Sequence, residues 1–261
     1  MNETDRLRCK EIVREAGLRL MQMRDMRIEE KTDFKNLVTS CDKDTQTFLV
    51  EELQKVDPEA TFLCEENDVC DTTGSHFFVI DPIDGTSNFI HDMKLSCICV
   101  AYADHEQVLW GMVYNPYMDE FFEGTLGEGA HLNGQKIQVR REPLAHCLAA
   151  FGTSPYYKEY KEETFALGCL IQDHCLDLRR TGSAEIDLCY AACGRIGLFF
   201  ERVLSPWDFA AGMCIVKEAG GIVRNFEGQA PDYTRKSSVA AGSRENVEQF
   251  LSLYREFKEE R

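Results

Sequence analysis

Apolar or small side chains recur at Leu7, Cys9, Ile12, Val13, Ala16, Leu20 and Met23, with charges between them. That three-and-four spacing predicts an amphipathic helix over residues 4–27. Residues 31–39 read as a connection or hairpin. A second helix is expected from about Asp44 to Val56, with Phe48, Leu49, Leu53 and Val56 on one face, stopped at Asp57-Pro58. Thr61 to Cys64 is a short apolar strand that runs into Glu65-Glu66. A second apolar run, His76 to Ile80, reads as a buried strand and leads into Asp81-Pro82-Ile83-Asp84-Gly85-Thr86. Pro82 has no N–H, so the strand is expected to end there. Thr86 is placed to cap a short helix starting at Ser87 or Asn88.

Residues 95–102, 107–115 and 119–123 read as antiparallel strands, and Asn133-Gly134 as a primed hairpin turn. Gly124, Gly127 and Gly129 lead into a hairpin, not a helix, which argues against a nucleotide loop. Beyond residues 141–146 the pattern alternates. Strands are expected at 146–151, 175–179, 196–202, 222–226 and 238–241. Helices are expected at 156–173, after Thr181-Gly182-Ser183, from Pro206-Trp207-Asp208 to Ala219, and from about Glu245 onward. Gly220-Gly221 closes the third of these. Helices and then a strand meander followed by alternation make the class α+β passing into α/β. The halves, 1–143 and 144–261, are expected to pack as one compact unit.

Composition narrows the function. With 44% hydrophobic and 28% charged residues the chain is of globular type. No run approaches a membrane span, and the charged start lacks a signal-peptide core, so a cytoplasmic location is expected. The twelve cysteines include no Cys-x-x-Cys pair and read as small buried hydrophobes in a reducing compartment. The net charge of −16 disfavours nucleic acid and anionic membranes as partners. A phosphorylated substrate would need a divalent cation in its site.

Four acids stand at the ends of apolar elements: Glu65, Asp81, Asp84 and Asp208. Singly, each has an ordinary explanation. Asp-Pro-x-Asp-Gly is common turn chemistry, Asp208 suits a helix start, and Glu65 suits a strand reaching the surface. Taken together, an all-oxygen ligand set points to Mg²⁺, Mn²⁺ or Ca²⁺ rather than zinc or copper. The spacing is not that of an EF-hand. Neither Cys64 nor Cys70 begins a Cys-x5-Arg loop.

Cys64-Glu65-Glu66, Asp81-Pro-Ile-Asp-Gly-Thr-Ser-Asn-Phe89, Gly182-Ser-Ala184 and Trp207-Asp-Phe-Ala-Ala-Gly212 occur in an order and spacing that resembles the inositol monophosphatase family. The family belongs to the Li⁺-sensitive, Mg²⁺-dependent phosphatases, and the likeness runs nearly end to end. It implies a layered αβαβα sandwich of alternating helix layers and sheets. It implies hydrolysis of a phosphate monoester, foremost inositol monophosphate, by water activated at a metal. The cofactor would be two to three Mg²⁺ ions, with Mn²⁺ as a substitute. Glu65, Asp81 and the Ile83 carbonyl would hold a first ion, and Asp81, Asp84 and Asp208 a second. Gly85 and Thr86 would offer N–H groups to phosphate, and Thr86, oriented by Asp42, would act with Glu65 in catalysis. Asp84, Gly182, Ser183, Ala184 and Glu201 would contact the sugar or polyol, with Lys31 a weaker match to a basic residue near the site.

The resemblance leaves alternatives: fructose 1,6-bisphosphate, another sugar or polyol phosphate, or 3′-phosphoadenosine 5′-phosphate. Asn88-Phe89 is more like the inositol branch than the nucleotide branch. Some relatives are linked to RNA or transcription complexes, which keeps a binding role open, and a homodimer is expected. The chain departs from the common pattern at Cys64, Asn67 and Glu185. Glu185, in place of a small residue, is expected to add charge at the substrate rim.

Overall fold

The computed structural model describes residues 1–23, 27–30, 37–66 and 70–259. Helix α1 (Glu3–Gln22) starts at a reciprocal cap between Asn2 and Asp5 and ends at Met23, short of the expected residue 27. Strands β1 (Ile28–Glu30) and β2 (Leu37–Thr39) pair antiparallel. Lys31 and the rest of 31–36 lie outside the described residues, as does Asn67. Helix α2 (Ser40–Val56) begins earlier than its apolar pattern suggested, because Thr39 and Asp42 form a second capping box.

Strands β3 (Thr61–Cys64) and β4 (Phe77–Asp84) are parallel neighbours. After helix α3 (Thr86–Ile90) come β5 (Cys97–Ala103), β6 (Val108–Asn115), β7 (Glu120–Thr125), β8 (Gly129–Leu132) and β9 (Gln135–Ile137). They complete a seven-stranded sheet in sequential order. Asn133 and Gly134 both have positive φ, as the primed turn between β8 and β9 requires.

The second sheet is built from β10 (Leu148–Phe151), β11 (Asp177–Arg179), β12 (Leu198–Leu204), β13 (Ile222–Arg224) and β14 (Ser237–Gly242), in the order β11-β10-β12-β14-β13. Between these strands lie α4 (Lys161–Gln172), α5 (Ala184–Ala192) and α6 (Ala210–Glu218), and α7 (Arg244–Glu259) follows.

Strand alternation sorts these elements into layers. On β4 and β5, Phe78, Ile80, Ile98 and Val100 pack against Ile12 and Val13 of α1 and Leu49 and Leu53 of α2. Phe77, Val79, Cys97 and Cys99 face the other way, toward α5 and α6. Phe199, Val239 and Ala241 of the second sheet enter that same central layer. Leu198, Phe200 and Ala240 point away from it, onto α4 and α7. The result is the αβαβα sandwich, with α5 and α6 covered on both sides. Their small residues make this possible: an added Cβ on Gly111 of β6 would lie 2.4 Å from the Ala211 carbonyl oxygen, so α6 rests directly on the sheet. Among the described residues no helix is long and apolar enough to cross a membrane.

Two expectations change at β4. The strand does not stop at Pro82 but continues to Asp84, buried throughout. Asp81 pairs with Cys99 and Asp84 with Cys97, so three steps on β4 match two on β5. This one-residue β-bulge absorbs the proline, whose missing N–H would interrupt a regular ladder. Helix α3 is entered through Gly85 at φ 85°, and Thr86 is its first residue, not its cap.

Gly111→Ala is expected to destabilise the protein by about 1–3 kcal/mol through overpacking of α6. Urea unfolding measures this, and an unchanged midpoint contradicts the close packing.

Candidate functional site

The bulge has a direct chemical effect. Residues three apart on a regular strand point to opposite faces. The extra residue instead puts Asp81 and Asp84 on the face shared by Cys97 and Cys99. Asp208, in a 3-10 turn just after β12, completes the group. One oxygen from each of Asp81, Asp84 and Asp208 lies within 4.8 Å of the others.

Each carboxylate has one oxygen tied down. Asp81 Oδ1 accepts from the Ile83 N–H at 2.9 Å. Asp208 Oδ2 accepts from the Ser205 N–H at 2.7 Å. Asp84 Oδ2 accepts from the Ser183 hydroxyl at 2.5 Å and the Glu185 N–H at 2.8 Å. Burial, and then the neighbouring acids, push Asp81 and Asp208 well above the usual carboxylate range. Burial raises Asp84 too, although its donors pull the other way. Crowded acids with one oxygen anchored and all-oxygen chemistry suit a hard divalent cation.

Glu65 follows β3 and is half-buried. It stands outside the close trio, yet its charge acts on all three members. Its turn is fixed by Gln46 of α2, whose amide bonds both the N–H and the carbonyl of Glu66. Asp42 is fully buried. Its Oδ2 receives the Thr39 N–H and hydroxyl, while Oδ1 lies 3.2 Å from the Thr86 hydroxyl. That hydroxyl is also 3.1 Å from the Ile83 carbonyl.

Gly182, Ser183 and Ala184 are brought to the same place by Asn88. Its amide donates to the Leu95 and Thr181 carbonyls, stapling the α3 segment to the turn before α5. The Ser183 hydroxyl is already committed, donating to Asp84 and accepting from the Ile186 N–H. An added Cβ on Gly85 would lie 3.0 Å from the Leu95 carbonyl oxygen, and with its φ of 85° any other residue at that turn would be strained. Glu201 sits on β12 beside a second bulge, and its Oε1 accepts from the N–H of Ser154 at 2.7 Å.

Several contributors were not legible in the chain. Ser154 is buried in a left-handed conformation (φ 41°), and its hydroxyl also bridges Val203. The Ser154-Pro155 pair is a turn signal that could have drawn attention to it. The exposed Arg180 donates to Thr153 and lends positive charge to Glu201. Glu185 is a correction. It does not line a substrate rim but is completely buried, accepting from the N–H groups of Ala211 and Gly212. Cys189 and Arg195 do have Cys-x5-Arg spacing, but Cys189 is buried within α5 and Arg195 pairs with Glu120. All twelve cysteines are free, and eight are buried, as expected of apolar fillers.

The inositol monophosphatase family model matches residues 3–259. The chain is 35% identical over 223 residues to Nus factor SuhB of Escherichia coli strain K12, covering 85% of this chain and 83% of that protein. It is 33% identical over 213 residues to a fructose-1,6-bisphosphatase/inositol-1-monophosphatase of Thermotoga maritima, covering 81% and 80%. The structure of the suhB protein of Bartonella henselae superposes with a TM-score of 0.88 at 29% identity, over 94% of this chain and 96% of that one. A Thermotoga maritima IMPase structure gives 0.85 at 30% identity, over 98% and 99%. The family match and these relatives indicate a phosphatase of the layered α/β class. The chain belongs to the inositol monophosphatase family.

Burial pushes Glu201 up to about 7 from 4.5, against the pull of Ser154 and Arg180. An acid that holds its proton more tightly when folded costs stability as pH rises from about 4.5 through 7. Glu201→Gln keeps the acceptor for Ser154 and is expected to exceed the parent in stability by about 3 kcal/mol at pH 8. Urea unfolding at pH 8 and pH 4 checks this, because the gap must close at the lower pH.

Proposed function

We propose that the protein hydrolyses phosphate monoesters of small sugars or polyols with magnesium, inositol monophosphate first among them. The observation that carries this reading is the convergence of Asp81 and Asp84 of β4 with Asp208 of the turn after β12, beside the Thr86–Asp42 pair. When bound, magnesium would neutralise phosphoryl oxygens and acidify a coordinated water. Asp81, Asp84 and Asp208 would hold it, with Glu65 and the Ile83 carbonyl serving a neighbouring ion.

The chain's own groups then divide the remaining work. Gly85 and Thr86 head α3, where N–H groups lack helical acceptors and suit a phosphate. The Thr86 hydroxyl reaches both Asp42 Oδ1 and the Ile83 carbonyl, and with that carbonyl engaged by an ion, Asp42 Oδ1 would be left to take the Thr86 proton. The Thr86 oxygen, turned toward Asp42 in this way, presents a lone pair to the attacking water and receives its proton. Glu201, anchored by Ser154, and the Gly182–Ala184 turn would receive the sugar hydroxyls. Fructose 1,6-bisphosphate follows as an alternative substrate, supported by the double name of the Thermotoga maritima relative.

The relatives named Nus factor SuhB favour a second reading, a binding partner of an RNA or transcription complex. The net charge of −16 weighs against direct contact with nucleic acid.

A magnesium-supported assay on inositol 1-phosphate, fructose 1,6-bisphosphate and 3′-phosphoadenosine 5′-phosphate separates the readings, with the first expected to turn over fastest. No turnover of any of them, together with RNA retention at low salt, moves the assignment to the binding role. Asp208→Asn is expected to lower activity at limiting magnesium by about a hundredfold or more, at least as much as losing an outer-shell partner. Its melting temperature should not fall, because a half-buried charge that repels Asp84 is removed. Millimolar lithium is expected to inhibit, and full activity in lithium counts against this branch.

A further inference from the structure

Glu185 joins Asp84 to the start of α6, the helix that follows Asp208, through different atoms. Its backbone N–H donates to Asp84 Oδ2 at 2.8 Å. Its side chain reaches the next helix, where Oε1 accepts from the Ala211 N–H at 3.2 Å and Oε2 from the Gly212 N–H at 2.6 Å. Ala211 and Gly212 lie in the first turn of α6, whose N–H groups have no helical acceptor. Phe209, at the cap position, supplies no side-chain bond. The cap therefore comes from α5, and a carboxylate suits the positive end of the α6 dipole.

The fit is tight. An added Cβ on Gly212 would come within 2.4 Å of Glu185 Oε2 and 2.6 Å of Leu188 Cβ. Asp208 ends the 3-10 turn immediately before α6. A continuous path thus runs from Asp84, through Glu185, to the start of α6 and Asp208. Without the Glu185 carboxylate, the α6 N-terminus loses its hydrogen-bonded tie to α5 next to Asp208.

We propose that Glu185 is a positioning residue that fixes the separation of Asp84 and Asp208 and so sets the affinity for the divalent cation. It does this without itself being a ligand. The inference rests on the magnesium reading above. Loss of an outer-shell partner typically weakens metal binding by about 10–100-fold. Glu185→Ala removes both acceptors but keeps the backbone bond to Asp84, so a loss at the low end of that range, about tenfold, is expected. Glu185→Gln keeps one acceptor but turns an NH₂ toward the other N–H, and a smaller loss of about threefold or more is expected.

Calorimetric titration of the full chain with Mg²⁺, repeated with Mn²⁺ by electron paramagnetic resonance, reads this directly for the parent, both Glu185 variants and Asp208→Asn. The expected result is weaker binding in the order parent, Gln, Ala, with activity lost at limiting magnesium and largely recovered by raising it. Parent-like affinity in both variants overturns the proposal, even where the melting temperature drops, since that is packing alone. If Glu185→Ala does not fold, Glu185→Gln decides by the same measure. A parent chain that binds neither cation overturns the magnesium reading itself. A parent that binds well beside variants that bind equally well overturns only the role of Glu185.

Discussion

The seat of Asp84 at the start of α5 is the interaction on which the rest depends. Its Oδ2 holds the Ser183 hydroxyl and the Glu185 N–H, joining the seven-stranded sheet to the central helix layer. A buried carboxylate is costly without such donors. With them, the last residue of β4 is pinned while the neighbouring oxygen chemistry stays available. The Asn88 staple ties α3 to the same turn before α5 and to the segment leading into β5. The central layer is thus positioned by polar contacts at its ends and by apolar packing along its length.

The acidic cluster works against the fold that carries it. Asp81, Asp84 and Asp208 repel one another, and burial strips the first two of most of their water. A protein selected for stability alone would place apolar residues there. The surrounding core is correspondingly conventional. Small residues and cysteines in α5 and α6 let two sheets approach one helix layer, and the outer helices seal both flanks.

Much of this was readable along the chain. Apolar periodicity located nearly every element, and the strand-end acids pointed to the site. The faces they occupy were not readable. Pro82 signalled a break, and only the pairing with β5 shows that the ladder accommodates it as a bulge. Glu185 stood next to a recognisable motif, and a one-dimensional reading placed its charge at the rim. Its partners, Ala211 and Gly212, lie more than twenty residues away and use only backbone atoms, which leave no mark in side-chain pattern. Ser154 was hidden for the same reason, since its role depends on a backbone conformation that its residue type seldom adopts.

The bulge in β4 also limits how this site can change over evolutionary time. Which side of a strand a residue faces is a matter of parity, odd or even, with no intermediate value. Side chains around Asp81 and Asp84 can be exchanged one at a time and their effects graded. The number of residues between them cannot be graded in this way. Losing one would restore a regular ladder and send one acid to the opposite face, among the apolar residues that meet α1 and α2. Drift in this segment is therefore open to substitution and closed to insertion and deletion.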